Sequence, residues 1–320
     1  MASPLLVFVG PTASGKTALA VRVAEALGGE IVSADSVQVY RHFEIGTGKP
    51  SAAERARAEH HLIDVVEPDE SMDAARWVEL ADAALQALRA RERVPIVCGG
   101  TFLWVRALLH GLAEAPAANA KIRERHRQTA EREGRAALHA ALREVDPESA
   151  ARLNENDFVR VSRALEVFEQ SGVPLSRWHA EHAFRTERHA YRLFGVLHAP
   201  DALDMRIRER ARAMLDLGWV DEVKSLMQRG HASARAMQSV GYKQVFEAVN
   251  AGALEREPLL DAVTRATRVF ARRQRTWLRT QPVTWLDPER ALAEDVRSLL
   301  SLDAQSEPKR SDASSSSRKL

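Results

Sequence analysis

Gly10-Pro11-Thr12-Ala13-Ser14-Gly15-Lys16-Thr17 is the stretch that decides the fold. Its spacing, G-x-x-x-x-G-K-T, is that of a loop whose backbone N–H groups cradle phosphates. The apolar run Leu5-Leu6-Val7-Phe8-Val9 stands before it, as a buried parallel strand would. Ala18-Leu19-Ala20-Val21 and Ala24-Glu25-Ala26-Leu27 follow at helical period until Gly28-Gly29 ends the helix. Gly10 and Gly15 allow backbone angles that turn successive N–H groups onto an anion, and the helix N-terminus adds partial positive charge. Lys16 supplies a point charge for phosphate oxygens, and Thr17 offers a hydroxyl to Mg²⁺. Such a loop asks for a diphosphate or a triphosphate; it does not ask for ATP.

Outward from the loop, 320 residues suffice for a large α/β core with an insertion. A net charge of +2 excludes an overall basic chain, so any nucleic-acid surface must come from local clustering. A single cysteine, Cys98, excludes an internal disulfide framework and suits a reducing compartment. No basic segment followed by an apolar one opens the chain, and no run is long enough to span a membrane. A cytoplasmic protein is expected.

Further short strands are expected at residues 30–35, 60–66 and 94–98, the last broken by Gly99-Gly100. A helix with Trp77, Leu80, Ala81, Ala84, Leu85 and Leu88 on one face separates the last two. Alternating strands and helices predict an α/β fold, a P-loop-containing parallel sheet flanked by helices. Ligands gather beyond the carboxyl ends of such strands, which brings residues 10–17, 35–38 and 99–101 around one crevice. From 116 to 190 the pattern is helical and charged without a convincing strand, so this stretch reads as an all-helical insertion domain. It divides a core of residues 1–115 and 191–303, whose second part holds strands at 191–197 and 283–286 and helices over 201–229 and 259–278. Residues 304–320, rich in serine, have little to bury and are expected to be disordered.

Asp35 ends the second strand opposite the phosphate loop. There it can bind Mg²⁺ or act as a general base, although Asp and Ser are also good helix caps. Thr101 can present its hydroxyl to the crevice or cap the helix that starts at Phe102. Arg265, Arg268, Arg272, Arg275 and Arg279 recur at helical spacing with Arg273 beside them, and residues 264–280 contain no acid. Phosphates are plausible partners for such a stripe, acids elsewhere in the fold the alternative. His60-His61 lacks a third ligand at metal-site spacing and reads as structural, and Cys98 reads as a buried strand residue.

Several motifs together resemble one family. Residues 10–17, Asp35-Ser36-x-Gln38-x-Tyr40, Ile45-Gly46-Thr47-Gly48-Lys49-Pro50, His61-Leu62-Ile63-Asp64 and Gly99-Gly100-Thr101-x-Leu103 follow one another as in the tRNA dimethylallyltransferases. So do Asn156-Asp157 with Arg160, Arg163, Ala164, Leu165 and Glu166, then residues 238–243, then Arg273-Gln274 with Thr276, Trp277 and Arg279. The resemblance covers roughly residues 4–290. Glu44, Gly48 and Trp104 depart from the commoner Asp, Ala and Tyr of the family, and none of these is a candidate catalytic residue.

The resemblance implies transfer of a dimethylallyl group from dimethylallyl diphosphate to N6 of the adenosine 3′ of the anticodon in a subset of tRNAs. On that pattern Gly10, Pro11, Thr12, Ala13, Ser14, Gly15, Lys16 and Thr17 bind the diphosphate, with Mg²⁺ on Thr17. Asp35 is the general base, and Lys16, Thr101 and Arg123 stand near the reacting groups. The tRNA anticodon stem-loop is contacted by Asp35, Ser36, Val37, Gln38, Thr101 and Arg123, by Val159, Arg160, Val161, Ser162 and Arg163, and by Gln238, Ser239, Val240, Gly241, Tyr242 and Lys243. A monomer without an obligate protein partner is expected. The competing possibilities are an ATP-dependent small-molecule phosphotransferase, with Asp35 activating a hydroxyl, and a non-catalytic RNA-binding switch gated by nucleotide.

Overall fold

The strands are short because each needs only to cross one buried layer: β1 (Leu5–Val9) is buried at every position. The computed structural model describes residues 4–293 together with 295, 297 and 298; the serine-rich tail lies outside the described residues. With β2 (Gly29–Ser33), β3 (His60–His61), β4 (Val94–Gly99), β5 (Tyr191–Val196) and β6 (Val283–Leu286), β1 forms a six-stranded sheet of order β3-β2-β4-β1-β5-β6. Every pairing is parallel.

The two-residue period of a strand splits the core into two layers. Leu5, Val7 and Val9 join Val32, Val97, Leu193 and Val283 on one face, packed on Trp77 and Phe102. Leu6 and Phe8 join Ile31, Ile96, Phe194 and Leu286 on the other, packed on Leu19, Ala20 and Val23. Helix α1 (Lys16–Leu27) covers that second face. Helices α2 (Ala52–Arg57), α3 (Ala74–Ala90) and α4 (Phe102–His110) complete the first part of the core.

One expectation of the core needs correction. The sequence predicts a third strand over residues 60–66, but only His60 and His61 pair with β2. Leu62 and Asp64 take positive φ angles of 60° and 59°, which turn the chain off the sheet. The Lys49 ammonium holds Asp64 in that turn while also donating to the Tyr40 carbonyl at 2.9 Å. The helices expected over 201–229 are α10 (Pro200–Asp216) and α11 (Trp219–Gln228), separated at Gly218 with φ 93°.

Among the described residues the chain divides into two compact units, one ending at Leu109 and resuming at His189, the other His110–Arg188. The second unit contains α5 (Ala120–Glu133), α6 (Arg135–Val145), α7 (Pro147–Arg152), α8 (Phe158–Ser171) and α9 (Leu175–His182), and no strand among the described residues. Its small core is built on Leu138, Leu142, Ala150, Val161, Ala164 and Leu165. Buried Asp146 accepts from the Ser149 hydroxyl at 2.7 Å and from the Ser176 N–H at 3.0 Å, which joins α7 to the start of α9. The first unit closes with α12 (Tyr242–Ala251), α13 (Arg256–Leu278) and α14 (Pro288–Ala293).

Candidate active site

Three loops leave the carboxyl ends of neighbouring strands β2, β4 and β1 and line one cavity of roughly 370 Å³, together with α10 and α13. The phosphate loop turns through left-handed conformations at Ala13 (φ 64°) and Gly15 (φ 87°). Its carbonyls are held from behind: Arg206 Nε donates to the Ala13 carbonyl at 2.8 Å, and His198 Nε2 donates to that of Ser14 at 2.8 Å. The first N–H groups of α1 have no partner within the helix, so they remain for an anion. The buried Ser14 hydroxyl has no hydrogen-bond partner among the described residues.

Lys16 and Thr17 line the cavity beside Asp35, Thr101 and Arg210. Desolvation pulls the Lys16 ammonium below its ordinary value, while Cys98 and Asp35 pull it back up. Desolvation likewise lowers the Arg210 guanidinium against the attraction of Asp35 and Glu54. The cation–carboxylate pattern of the cavity is therefore Lys16 and Arg210 around Asp35. Burial pushes the Cys98 thiol up to about 11, which leaves no thiolate for nucleophilic work at neutral pH.

The two oxygens of Asp35 are placed differently. Its Oδ1 accepts from the N–H groups of Val37 (2.9 Å) and Gln38 (3.3 Å), so that oxygen caps a turn. Its Oδ2 accepts no hydrogen bond among the described residues. Thr101 Oγ1 accepts from the Ser36 N–H at 2.9 Å, and its own N–H donates to the Ala34 carbonyl at 3.1 Å. A Cβ on Gly99 would fall 2.1 Å from that carbonyl, so the two loops meet only because residue 99 is glycine. Gln38 Nε2 reaches on to the Gly48 carbonyl at 3.1 Å and fixes the next wall.

That wall is held by a second network. Tyr242 is fully buried; its hydroxyl accepts from the Gly46 N–H at 3.1 Å and donates to Glu222 at 2.5 Å. The buried Gly241 and Tyr242 thus cannot touch a nucleic acid, contrary to expectation, while Gln238, Ser239 and Val240 line the cavity and Lys243 is exposed. The same correction applies in the helical unit. Val161 and Ser162 are buried, the latter with its hydroxyl 2.9 Å from His126 Nδ1, while Val159 and Arg160 of that segment are exposed. Arg123 and Arg163 both grip the fully buried Glu166. Arg123 does so through Nε at 2.9 Å and Nη2 at 3.0 Å, Arg163 through Nη1 at 2.6 Å.

The arginine stripe also resolves into parts. Arg268 pairs with Asp204 of α10 at 3.2 Å, and the attraction of Asp261 falls on Arg265 and Arg268. Of the six arginines only Arg273 lines the cavity. At 100° per residue the other five share a different side of α13 from Val263, Phe270, Arg273 and Gln274, which line it. Glu30, Glu59 and His61 come within ligand distance of one another. Glu30 is already bound by Arg91 (3.0 Å) and Arg93 (3.4 Å), so that cluster is an ion-pair knot.

Arg206, Arg210, His198 and Gln274 were missed as functional residues. Two signals were available: Gln274 stands in the Arg273-Gln274 motif quoted above, and Arg210 sits on the apolar side of α10 between Ile207 and Ala211. No helix among the described residues is long and apolar enough to cross a membrane.

A family model described as IPP transferase matches residues 38–281. The tRNA dimethylallyltransferase of Sorangium cellulosum is 61% identical over 282 residues, 88% of this chain and 90% of that one. The crystal structure of the full-length tRNA isopentenylpyrophosphate transferase from Bacillus halodurans is 36% identical with a TM-score of 0.63, covering 89% of this chain and 90% of that one. A structure described as a eukaryotic dimethylallyltransferase acting on tRNA is 24% identical with a TM-score of 0.76, over 89% of this chain and 74% of that one, and shares the fold. Likeness of this extent, over nearly nine-tenths of the residues, makes the chain a member of the IPP transferase family and a transferase of the tRNA dimethylallyltransferase kind.

Proposed function

We propose that this chain transfers a dimethylallyl group from dimethylallyl diphosphate to N6 of the adenosine 3′-adjacent to the anticodon in a subset of tRNAs, giving N6-dimethylallyladenosine. The observation that carries this is one cavity holding both a phosphate loop and, facing it, a carboxylate with one oxygen left over.

Residues 10–17 grip the diphosphate, and Lys16 and Arg210 meet its charge. The hydroxyls of Thr17 and of the unpartnered Ser14 are hard oxygen donors of the kind Mg²⁺ takes alongside phosphate oxygens. When bound, Mg²⁺ supplies neutralisation of the leaving group. The N6 lone pair attacks the allylic carbon as its bond to the diphosphate oxygen breaks, and the diphosphate leaves with that electron pair. Asp35 Oδ2 takes the proton from N6, whose lone pair is otherwise conjugated into the purine. Thr101 keeps its hydroxyl proton free to donate, since Oγ1 already accepts from Ser36. To present N6, the base leaves its stack in the anticodon loop.

The tRNA contacts fall to residues 35–38, Thr101, the exposed Val159 and Arg160, Arg163, residues 238–240 and Lys243. Arg123 keeps one Nη group beyond its fork on Glu166 for a phosphate. Mass spectrometry of nucleosides from tRNA incubated with the protein, Mg²⁺ and dimethylallyl diphosphate tests the proposal; an unaltered adenosine overturns it. Labelled ATP in parallel checks for phosphoryl transfer, the result that would favour a kinase.

A further inference from the structure

The phosphate loop and the Gly100-Thr101 loop leave adjacent strands, whose last paired residues are Val9 and Gly99. Beyond that pair the ladder no longer fixes their separation. One buried side chain does. Gln274 of α13, 6% exposed, accepts from the Thr12 N–H through Oε1 at 2.9 Å and donates through Nε2 to the Gly100 carbonyl at 3.0 Å. Its orientation is dictated, because an N–H can only donate and a carbonyl only accept. A Cβ on Gly100 would lie 2.7 Å from Nε2, so glycine there is what admits the amide.

The bond at Gly100 continues through the neighbouring residue. Thr101 binds the Ser36 N–H, and Asp35 is next in the chain. On the other side Thr12 belongs to the loop that grips the leaving group. Gln274 therefore stands between the half of the site that handles the diphosphate and the half that handles the amine.

We infer that Gln274 is a positioning residue that sets the spacing between the phosphate loop and the Thr101–Asp35 side of the cavity, and hence the attack distance in the transfer reaction. The inference rests on the proposed function and deepens it. Gln274 lines the cavity, but its amide oxygen and nitrogen are engaged by two backbone groups, and it acts through these. A displacement of about 1 Å between reacting groups costs on the order of 100-fold in rate. A loss of that kind falls on kcat and leaves each KM in place, since each half still binds its own substrate.

Glutamate at this position makes a specific test. Ionised, it accepts from Thr12 but cannot donate to the Gly100 carbonyl; protonated, it reproduces both bonds. Kinetics with dimethylallyl diphosphate and tRNA, with melting curves for each variant, are measured from about pH 6 to about pH 9. Gln274→Met is expected to lose about 100-fold in kcat with both KM values retained. Gln274→Glu is expected to match Gln274→Met at the alkaline end, and its rate relative to wild type rises as pH falls.

Gln274→Met with the wild-type kcat overturns the inference, as does Gln274→Glu that follows Gln274→Met over the whole range. If Gln274→Met does not fold, the Gln274→Glu ratio decides alone, a flat depressed ratio overturning the inference. The wild-type enzyme run alongside separates the two failures. No product from wild type strikes the proposed function, whereas product from wild type that Gln274→Met matches strikes only the clamp.

Discussion

Asp35→Asn and Asp35→Ala separate the two duties of one carboxylate. Oδ1 caps the turn by accepting from Val37 and Gln38, and Oδ2 is the oxygen proposed to take the N6 proton. Asparagine keeps an Oδ1 acceptor and replaces Oδ2 by an amide that cannot act as a base. Asp35→Asn is therefore expected to retain its melting temperature and tRNA affinity and to lose about 10²–10⁴ in kcat, some 3–5 kcal/mol of transition-state stabilisation. Alanine removes both acceptors, leaving two N–H groups at a half-buried turn unpaired, at a further cost of about 1–2 kcal/mol in stability. That lowers the melting temperature by a few degrees in a unit of this size. Thermal melting, filter binding of tRNA and single-turnover kinetics read the three quantities separately. The reasoning is refuted if Asp35→Asn keeps kcat within about tenfold of wild type, or loses tRNA affinity and stability in proportion to rate.

Arg160, exposed and paired among the described residues only with Asp157 at 3.2 Å, is expected to contribute one phosphate contact. Arg160→Gln then weakens tRNA binding and reduces the salt slope by about 0.7 to 1, measured as log Kd against log salt. The helical unit is expected to lose stability in acid. Burial alone would raise Asp146 and Glu166, but hydrogen bonds outweigh it and hold both below their ordinary values, from Ser149 and Ser176 to Asp146, from Arg123, Arg163 and Asn119 to Glu166. Because the folded values are the lower ones, their stabilisation is present above the unfolded values and fades as pH falls from about 4.5 through the folded ones. Denaturant melts of wild type and Asp146→Asn between about pH 3 and pH 7 check this, with the variant expected to depend less on pH. Cys98, pushed up to about 11, is expected to resist iodoacetamide at about pH 8 in the folded protein and to react once unfolded, as mass spectrometry would read directly.

The distribution of charge shows where local sequence stops being informative. Six arginines without an acid in residues 264–280 read as a phosphate-binding stripe, yet Asp204 from another helix neutralises part of it. The acid is about sixty residues away in sequence, and only helix packing brings it near. Arg163 meets Glu166 three residues on along α8, a pairing local sequence can suggest, but that Arg123 shares the same carboxylate depends on how α5 packs on α8.

What the residues dictated by themselves is whatever is encoded within a few positions. The loop at 10–17, the flanking strand and helix, the two-residue strand period and the turn at Asp35 all arise from contacts between near neighbours in the chain. The parallel order of the strands then brings three loops to one edge, as alternating strands and helices require. Only the tertiary structure decided that Arg206 and His198 hold the phosphate loop from behind, that Tyr242 and Val161 turn inward, and that Gln274 bridges residues 12 and 100. The physical reason is directional. A helix presents its side chains all round, and which of them meets a partner is settled by the surface it packs against, a surface assembled from residues far away along the chain.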